Sequence, residues 1–329
     1  MPTPRRAARS SGRALGAIGE FGLLARLLPT LPTGGRGVLL GPGDDCAVVA
    51  PRGRALLVTI DALVEGVHFR RGWLSPAELG RKAFAVNASD LAAMGGAPRW
   101  GVVQIAAPPR LPAADVVAIS RAIAAAARRA GATLVGGNLS RARELSVALA
   151  LIGDAPPRPV TRAGARPGDA LYVTGRIGDA ALGVRLLRRG IRSGPAVSRF
   201  RAPTPRLAAG ALLARRRLAS AMIDVSDGLL QDLGHLCAAS AVGARIELAR
   251  VPCAPAVRRA GIDLALTGGE DYELLFAVPR RRETALARVA SQFGCAVTRI
   301  GECTRGGGIR VVDERGREQS FAGGHDHFR

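Results

Sequence analysis

The acidic residues of this sequence are few and oddly placed. Among 329 residues there are 26 Asp and Glu against 47 Lys and Arg. Several of the acids nevertheless stand in pairs among glycines and small apolar residues: Asp44 and Asp45 in GPGDD, Asp61 in VTIDAL, Asp90 in NASDLAAMG, Asp224 and Asp227 in IDVSDG, and Glu270 and Asp271 in GGEDYEL. Each falls where a strand is expected to end or a helix to begin. Carboxylates without adjacent bases are what a hard divalent cation requires, and magnesium is commonly shared between carboxylates and substrate phosphates. A single Asp61 or Asp90, or GDD by itself, reads more simply as a turn or helix-cap residue. IDVSDG says more, because an unpaired charge on an apolar strand is costly. GGEDYEL says more again, since two acids follow two glycines and precede a strand that looks buried. So many motifs at once favour a metal-phosphate site.

Missing motifs narrow the chemistry. There is no GxxxxGK[ST] loop, and Lys82, the one lysine of the chain, is not in a glycine-rich context. That excludes a P-loop NTPase. The HRD and DFG motifs of a protein kinase are also missing. Any bound phosphate would then be met by metals and arginines. Arg162, in PVTRAG, could grip one bidentately, although a loop arginine is as often simply exposed.

The elements that must position these residues can be read from periodicity. VLLGPGDDCAVVA predicts strand, turn, strand, and ALLVTIDALVEGVHF a strand running into a loop. Residues 76–95 predict a helix, with Pro76 suited to its first turn and Gly95–Gly96 to its end. RWGVVQIAAP, ATLVGGNLS and ELSVALALIGD predict strands, and ADVVAISRAIAAAARRAG a helix between the first two, with Gly131 at its C-terminal stop. A Pro-, Gly- and Arg-rich stretch at 154–169 suggests a domain boundary, with an N-terminal domain over 20–155 and a C-terminal one over 156–329. In the second half, ALYVTGRIGDAALGVRLLRRG predicts strand, turn, helix. FRAPTPRLAAGALLARRRLA predicts a Pro-opened helix. AMIDVSDGLLQDLGHLCAASAVGARIEL predicts strand, acidic turn, helix, strand. The class is α/β or α+β. Ahead of all this, EFGLLARLLPTL predicts a short helix, and residues 1–19, basic and without acids, a disordered extension.

Length supports two domains. The +21 net charge invites a nucleic-acid reading, but the arginines form no blocky tail or nucleic-acid motif. We read the charge as compositional and expect no nucleic-acid partner. Five cysteines without CxxC spacing argue against a disulfide framework or zinc site and suit a reducing, cytoplasmic setting. No apolar run is long enough to predict a membrane span.

Taken in order, EFGLLARL, GPGDDCAVV, DALVEGVHF, KAFAVNASDLAAMG, ATLVGGN, VTRAGARPGDALYVTG, IDVSDGLLQDLGH, LTGGEDYELLF and a terminal HDHF resemble the thiamine-monophosphate kinase family. The resemblance covers nearly everything from Glu20 to Phe328. It implies the two-domain fold shared with aminoimidazole ribonucleotide synthetase and selenophosphate synthetase, dimerising through the N-terminal domain. It implies ATP as co-substrate, several Mg²⁺ ions, and direct in-line transfer onto thiamine phosphate with no general base. By matching motif, Asp45, Asp61, Asp90, Asp224 and Asp227 would hold magnesium, with Thr59 near a metal. Gly137, Asn138, Arg162 and Ser226 would contact ATP, and His68 and Glu270 thiamine phosphate.

Three positions depart from the family pattern. Asn138 stands where the family usually has Asp, offering a metal a carbonyl oxygen but no charge. Ile60 replaces a hydroxyl residue. The C-terminal stretch FAGGHDHF lacks the family's Trp and Tyr, leaving Phe321 and His325 as substitutes against the substrate. Two alternatives remain open at this point: a sister enzyme of the superfamily with another substrate, and a degenerate, non-catalytic homologue.

Overall fold

The computed structural model describes Ala25 and residues 38–40, 43–50 and 55–321. The expected helix over EFGLLARLLPTL, the 1–19 extension and His325 lie outside the described residues, apart from Ala25.

The first half builds one sheet from β1 (Val38–Leu40), β2 (Ala47–Val49), β3 (Leu56–Val64), β4 (Ala97–Ala107), β5 (Thr133–Arg141) and β6 (Ser146–Asp154), in the order β1-β2-β3-β6-β4-β5. Only the β4–β5 pair is parallel. SVALALIGD in β6 alternates strictly, with Val147, Leu149, Leu151 and Gly153 buried. This two-residue period turns one face of the sheet toward a core. Helices α1 (Pro76–Ala93) and α2 (Ala113–Arg129) cover that face.

Helix α1 begins as the sequence predicts. Ser75 and Glu78 form a reciprocal capping box: the Ser75 amide donates to Glu78 Oε2 at 2.7 Å, and the Glu78 amide donates to Ser75 Oγ at 3.3 Å. Such a box satisfies two orphan N–H groups of the first turn. Gly95, at φ +74, ends it. Two glycines allow close packing around this helix. A Cβ on Gly80 would collide with the Ile119 carbonyl of α2, and one on Gly210 with the Ala92 carbonyl of α1 itself.

The second half forms a seven-stranded sheet from β7 (Ala170–Thr174), β8 (Ala221–Val225), β9 (Gly243–Glu247), β10 (Glu273–Val278), β11 (Val297–Thr304), β12 (Ile309–Val312) and β13 (Glu318–Gln319). Its order is β13-β12-β9-β11-β7-β10-β8. The helices are α3 (Asp179–Arg188), α4 (Pro195–Arg201), α5 (Leu207–Arg215), α6 (Leu229–Ser240), α7 (Pro255–Ala260), α8 (Asp263–Leu266) and α9 (Arg280–Val289). The single helix expected across FRAPTPRLAAGALLARRRLA is instead two: Phe200–Arg201 close α4, and α5 opens only at Leu207. Pro203 and Pro205 explain the break, since proline disfavours helix in the residue before it and cannot donate within one. Strand β8 ends its sheet yet is buried throughout, because α1 of the first half packs against it. The two halves therefore meet along α1.

Candidate active site

Helix α1 carries polar residues on two faces, and each is matched to a partner. Asn87 and Asp90, three apart and hence on neighbouring positions of one face, reach β3. The Asp61 amide donates to Asn87 Oδ1 at 2.9 Å, and Thr59 Oγ1 donates to Asp90 Oδ2 at 2.5 Å. Lys82 and Ser89, two turns apart, reach the second half. Ser89 Oγ donates to Asp224 Oδ2 at 2.6 Å, and Lys82 forms an ion pair with Glu270.

These contacts gather the carboxylates around one cleft of about 550 Å³ at the junction of the halves. Its lining includes Asp45, Thr59, Asp61, His68, Asp90, Arg162, Asp224, Ser226, Asp227 and Glu270, together with Asp44 and Ile60. Asp45, Asp90 and Asp224 each present an oxygen within 4.8 Å of one another. Arg162 grips Asp45 with its Nε and Nη2, both at 3.1 Å, while its amide donates to Asp44 Oδ2 at 3.0 Å.

The electrostatics follow from this crowding. Burial, then repulsion by Asp61, Asp224 and Asp45, pushes the Asp90 carboxyl well above the usual range. Burial and the Asp45 charge do the same to Asp224. Asp44 is raised to about 6, again by burial first and Asp45 second. Burial would lower Arg162, but its charge and hydrogen-bond contacts with Asp45 outweigh that and raise it. Buried carboxylates under mutual repulsion lose that penalty when a hard, multiply charged cation joins them. The donor set fits a magnesium ion on those grounds.

The turn bearing Ser226 and Asp227 is held from behind. Asp232, on α6, accepts from the amides of Ser226, Asp227 and Gly228 through one oxygen, each at 3.1 Å. The adjoining 269–272 segment is tied to the same turn, since the Glu270 amide donates to the Ser226 carbonyl at 2.7 Å. Glu270 and Tyr272 adopt φ +75 and +51, a region L-residues rarely occupy and one that recurs at functional sites. His68 accepts the Val64 amide on Nδ1 at 3.1 Å, which leaves its proton on Nε2.

Three sequence-predicted residues are not brought to this cleft. Gly137 and Asn138 lie on β5, three strands from β3 in the sheet, or about 14 Å at ordinary strand spacing. Strand pairing aligns Gly137 with Val103, Leu149 and Asp61, and Asn138 with Gln104, Ala148 and Ala62. Because successive side chains alternate, Asn138 projects from the sheet face opposite to Asp61 and stands apart from the acid cluster of its own chain. Phe321 packs half-buried against the second core, just beyond β13. That strand lies at the sheet edge opposite to β8, and hence to Asp224. The aromatic lining comes instead from Trp73, Phe200 and Tyr272, which the sequence reading missed. Asp271 also turns away, its carboxylate accepting the Gly178 amide at 2.7 Å at the start of α3.

The geometry accords with the relatives. The family model of the AIR synthase related protein N-terminal domain matches residues 43–155, and that of the C-terminal domain matches residues 166–314. The chain belongs to this family. Among its relatives, it is 40% identical to the thiamine-monophosphate kinase of Escherichia coli K12 over 301 residues, 88% of this chain and 91% of that one. It is 38% identical to that of Salmonella typhimurium LT2, over 95% of this chain and 99% of the other. A solved structure of AaThiL complexed with AMPPCP and TMP superimposes with a TM-score of 0.84 at 32% identity, covering 97% of this chain and all of that one.

Proposed function

We propose that this chain is a thiamine-phosphate kinase, moving the terminal phosphate of ATP onto the phosphate of thiamine phosphate to give thiamine diphosphate. The observation that carries the reading is the convergence of Asp45, Asp61, Asp90, Asp224 and Asp227 from separate segments on one cleft. The kinship with thiamine-monophosphate kinases, one relative being complexed with an ATP analogue and TMP, supplies the substrates.

In this reading the five aspartates, with Thr59, would hold Mg²⁺. When bound, the ions would screen the repulsion between two anionic reactants. Arg162 already lies in the cleft and offers a guanidinium to a phosphate. Ser226 and Asp227 sit on a turn whose amides are pinned by Asp232, so both are pre-oriented. The acceptor phosphate is ionised near neutral pH, so no residue needs to act as general base. His68, Glu270 and the aromatic trio would receive the thiamine end. Gly137 and Asn138 have no part within this cleft, and any contact they make with ATP has to come from outside it.

The face of the first sheet that no described helix covers supports a homodimer. Among the described residues, Ile60, Trp100, Val102 and Val135 are exposed apolar residues on that side of β3, β4 and β5, and a patch of that kind marks an interaction surface. Sedimentation should give twice the chain mass; a monomer at micromolar concentration would remove this part. All five cysteines are free, consistent with the cytoplasmic setting we assign. No helix among the described residues is long and apolar enough to cross a membrane.

The deciding assay combines purified protein, thiamine phosphate, ATP and Mg²⁺ and measures thiamine diphosphate. Product is expected only with all three present. Bound ATP without product would point to a sister activity on another acceptor.

A further inference from the structure

Lys82 is the single lysine of a chain whose other 46 basic residues are arginine. Its side chain is entirely buried. The ammonium donates to the Phe200 carbonyl at 3.0 Å, lies 3.5 Å from the centre of the Phe200 ring, and pairs with Glu270 Oε2. One carbonyl and one ring face accept from the ammonium, and one carboxylate oxygen balances its charge as an ion pair. A guanidinium brings five donors in a rigid plane and would leave some of them buried and unpaired. The site is thus matched to lysine in a sequence that otherwise uses arginine.

Stability does not account for this arrangement. A buried ion pair rarely outperforms well-packed apolar residues, because both charges lose their hydration. Burial also pushes the Lys82 ammonium toward its neutral form, opposed only by Glu270. What the pair does achieve is geometric. Glu270 sits on a strained backbone at φ +75, with Oε2 turned onto Lys82 and its side chain still 21% exposed at the cleft. Phe200 lines the same cleft and meets Trp73 edge-on, ring centres 6.1 Å apart. One atom of α1 therefore registers two segments of the second half around the part of the cleft where the organic end of the substrate would lie.

We propose that Lys82 is a positioning residue for thiamine phosphate: it fixes the Glu270 carboxylate and the Phe200 ring in the orientation that receives the substrate, and touches neither the reacting phosphates nor the metals. The proposal rests on the reading of Glu270 as a substrate contact.

Kinetics of Lys82→Met, Glu270→Gln and the double variant test it. Lys82→Met should raise KM for thiamine phosphate about tenfold or more and leave KM for ATP within about twofold. The double variant should be no worse than Lys82→Met, because coupled residues are not additive. Additive losses, or equal shifts in both KM values, overturn the proposal. Should the variants fail to fold, the wild type carries its own reporter, since isotope-labelled lysine gives a single side-chain NMR signal. Thiamine phosphate should move that signal, and Mg²⁺ with a non-hydrolysable ATP analogue should not. An unmoved signal in protein that turns thiamine phosphate over overturns the positioning role alone; absence of turnover overturns the kinase reading and this role with it.

Discussion

Helices α1 and α2 are of nearly equal length, 18 and 17 residues, and pack against each other over the same sheet. Their interiors differ. Helix α2 buries one stripe, Ile119, Ile123, Ala126 and Ala127, and closes with Arg128 and Arg129 in its last turn, where cations complement the helix dipole. Helix α1 buries thirteen residues, among them Lys82, Asn87 and Ser89. The cause is position: α2 has solvent behind it, whereas α1 is held between its own sheet and β8 and α5 of the second half. A polar group with no route to water must find a partner inside. On α1 those partners are the cleft residues Asp61, Asp224 and Glu270, with Asp90 on the same helix taking the Thr59 hydroxyl. The difference teaches that a polar residue buried between two domains marks chemistry more strongly than an amphipathic stripe does.

The largest test of the contrast removes the charge that α1 brings to the acid cluster. Asp90→Asn should lower kcat by on the order of 10²–10³-fold, the scale of losing one pre-organised electrostatic group. The same change should raise the melting temperature of the metal-free protein, since it relieves buried repulsion. The pH dependence has a definite sign. Asp44, Asp90 and Asp224 hold protons in the folded state to higher pH than in the unfolded chain. Above the ordinary carboxylate range the folded state binds more protons, so stability falls as pH rises. The fall should begin near pH 4, the unfolded carboxylate value, and continue through the raised values, about 6 for Asp44. Asp90→Asn should flatten this slope, and Mg²⁺ should flatten it in the wild type. Thermal unfolding across pH, with and without Mg²⁺, measures both. A variant less stable than the wild type at neutral pH would show that Asp90 is a structural acid.

The contrast also explains what could be read in the sequence. The α2 stripe and the β6 alternation were legible, because local periodicity carries them. The acids of GPGDD, VSDG and GGED were legible as turns beside strands, and so was the α/β class, whereas Asp61 lies inside β3 and Asp90 inside α1 and not at an element's start. Helix α4 was missed although Gly194 precedes it and Pro195 opens it, a pairing suited to a helix start. Ser89 and Asn87 were missed because their partners, Asp224 and the Asp61 amide, are fixed only by packing. They did leave a signal: NAS ahead of Asp90 puts polar residues on a helix segment with no polar face to spare. Lys82 was noticed only for lacking a glycine-rich context, and nothing local announces Glu270 across the domain junction. Asp232 looked like an ordinary helix residue, yet its carboxylate holds three amides of the acidic turn. For Asn138 and Phe321 motif order suggested a site, and strand order keeps both outside this chain's own acid cleft.

A smaller, paired substitution sharpens the comparison to single atoms. Ser89→Ala on α1 removes one hydroxyl that donates to the Asp224 carboxylate. A hydrogen bond to a charged group contributes about 1.5–3 kcal/mol, but much of it here offsets repulsion that the free carboxylate would relieve by taking up a proton. The net effect on stability should therefore be small, while the Mg²⁺ concentration for half-maximal rate should rise by roughly tenfold as Asp224 loses its orientation and stays protonated to higher pH. Ile123→Val on α2 removes one buried methylene and should cost about 0.5–1.5 kcal/mol of stability, with the Mg²⁺ dependence and both KM values unchanged. Chemical denaturation and Mg²⁺ titration of the two variants read the four quantities. If Ile123→Val moved the Mg²⁺ dependence as far as Ser89→Ala, the cleft would be sensed through packing in general. If only Ser89→Ala moves it, the cleft is set by hydrogen bonds from one helix, and the second helix serves to keep that helix in place.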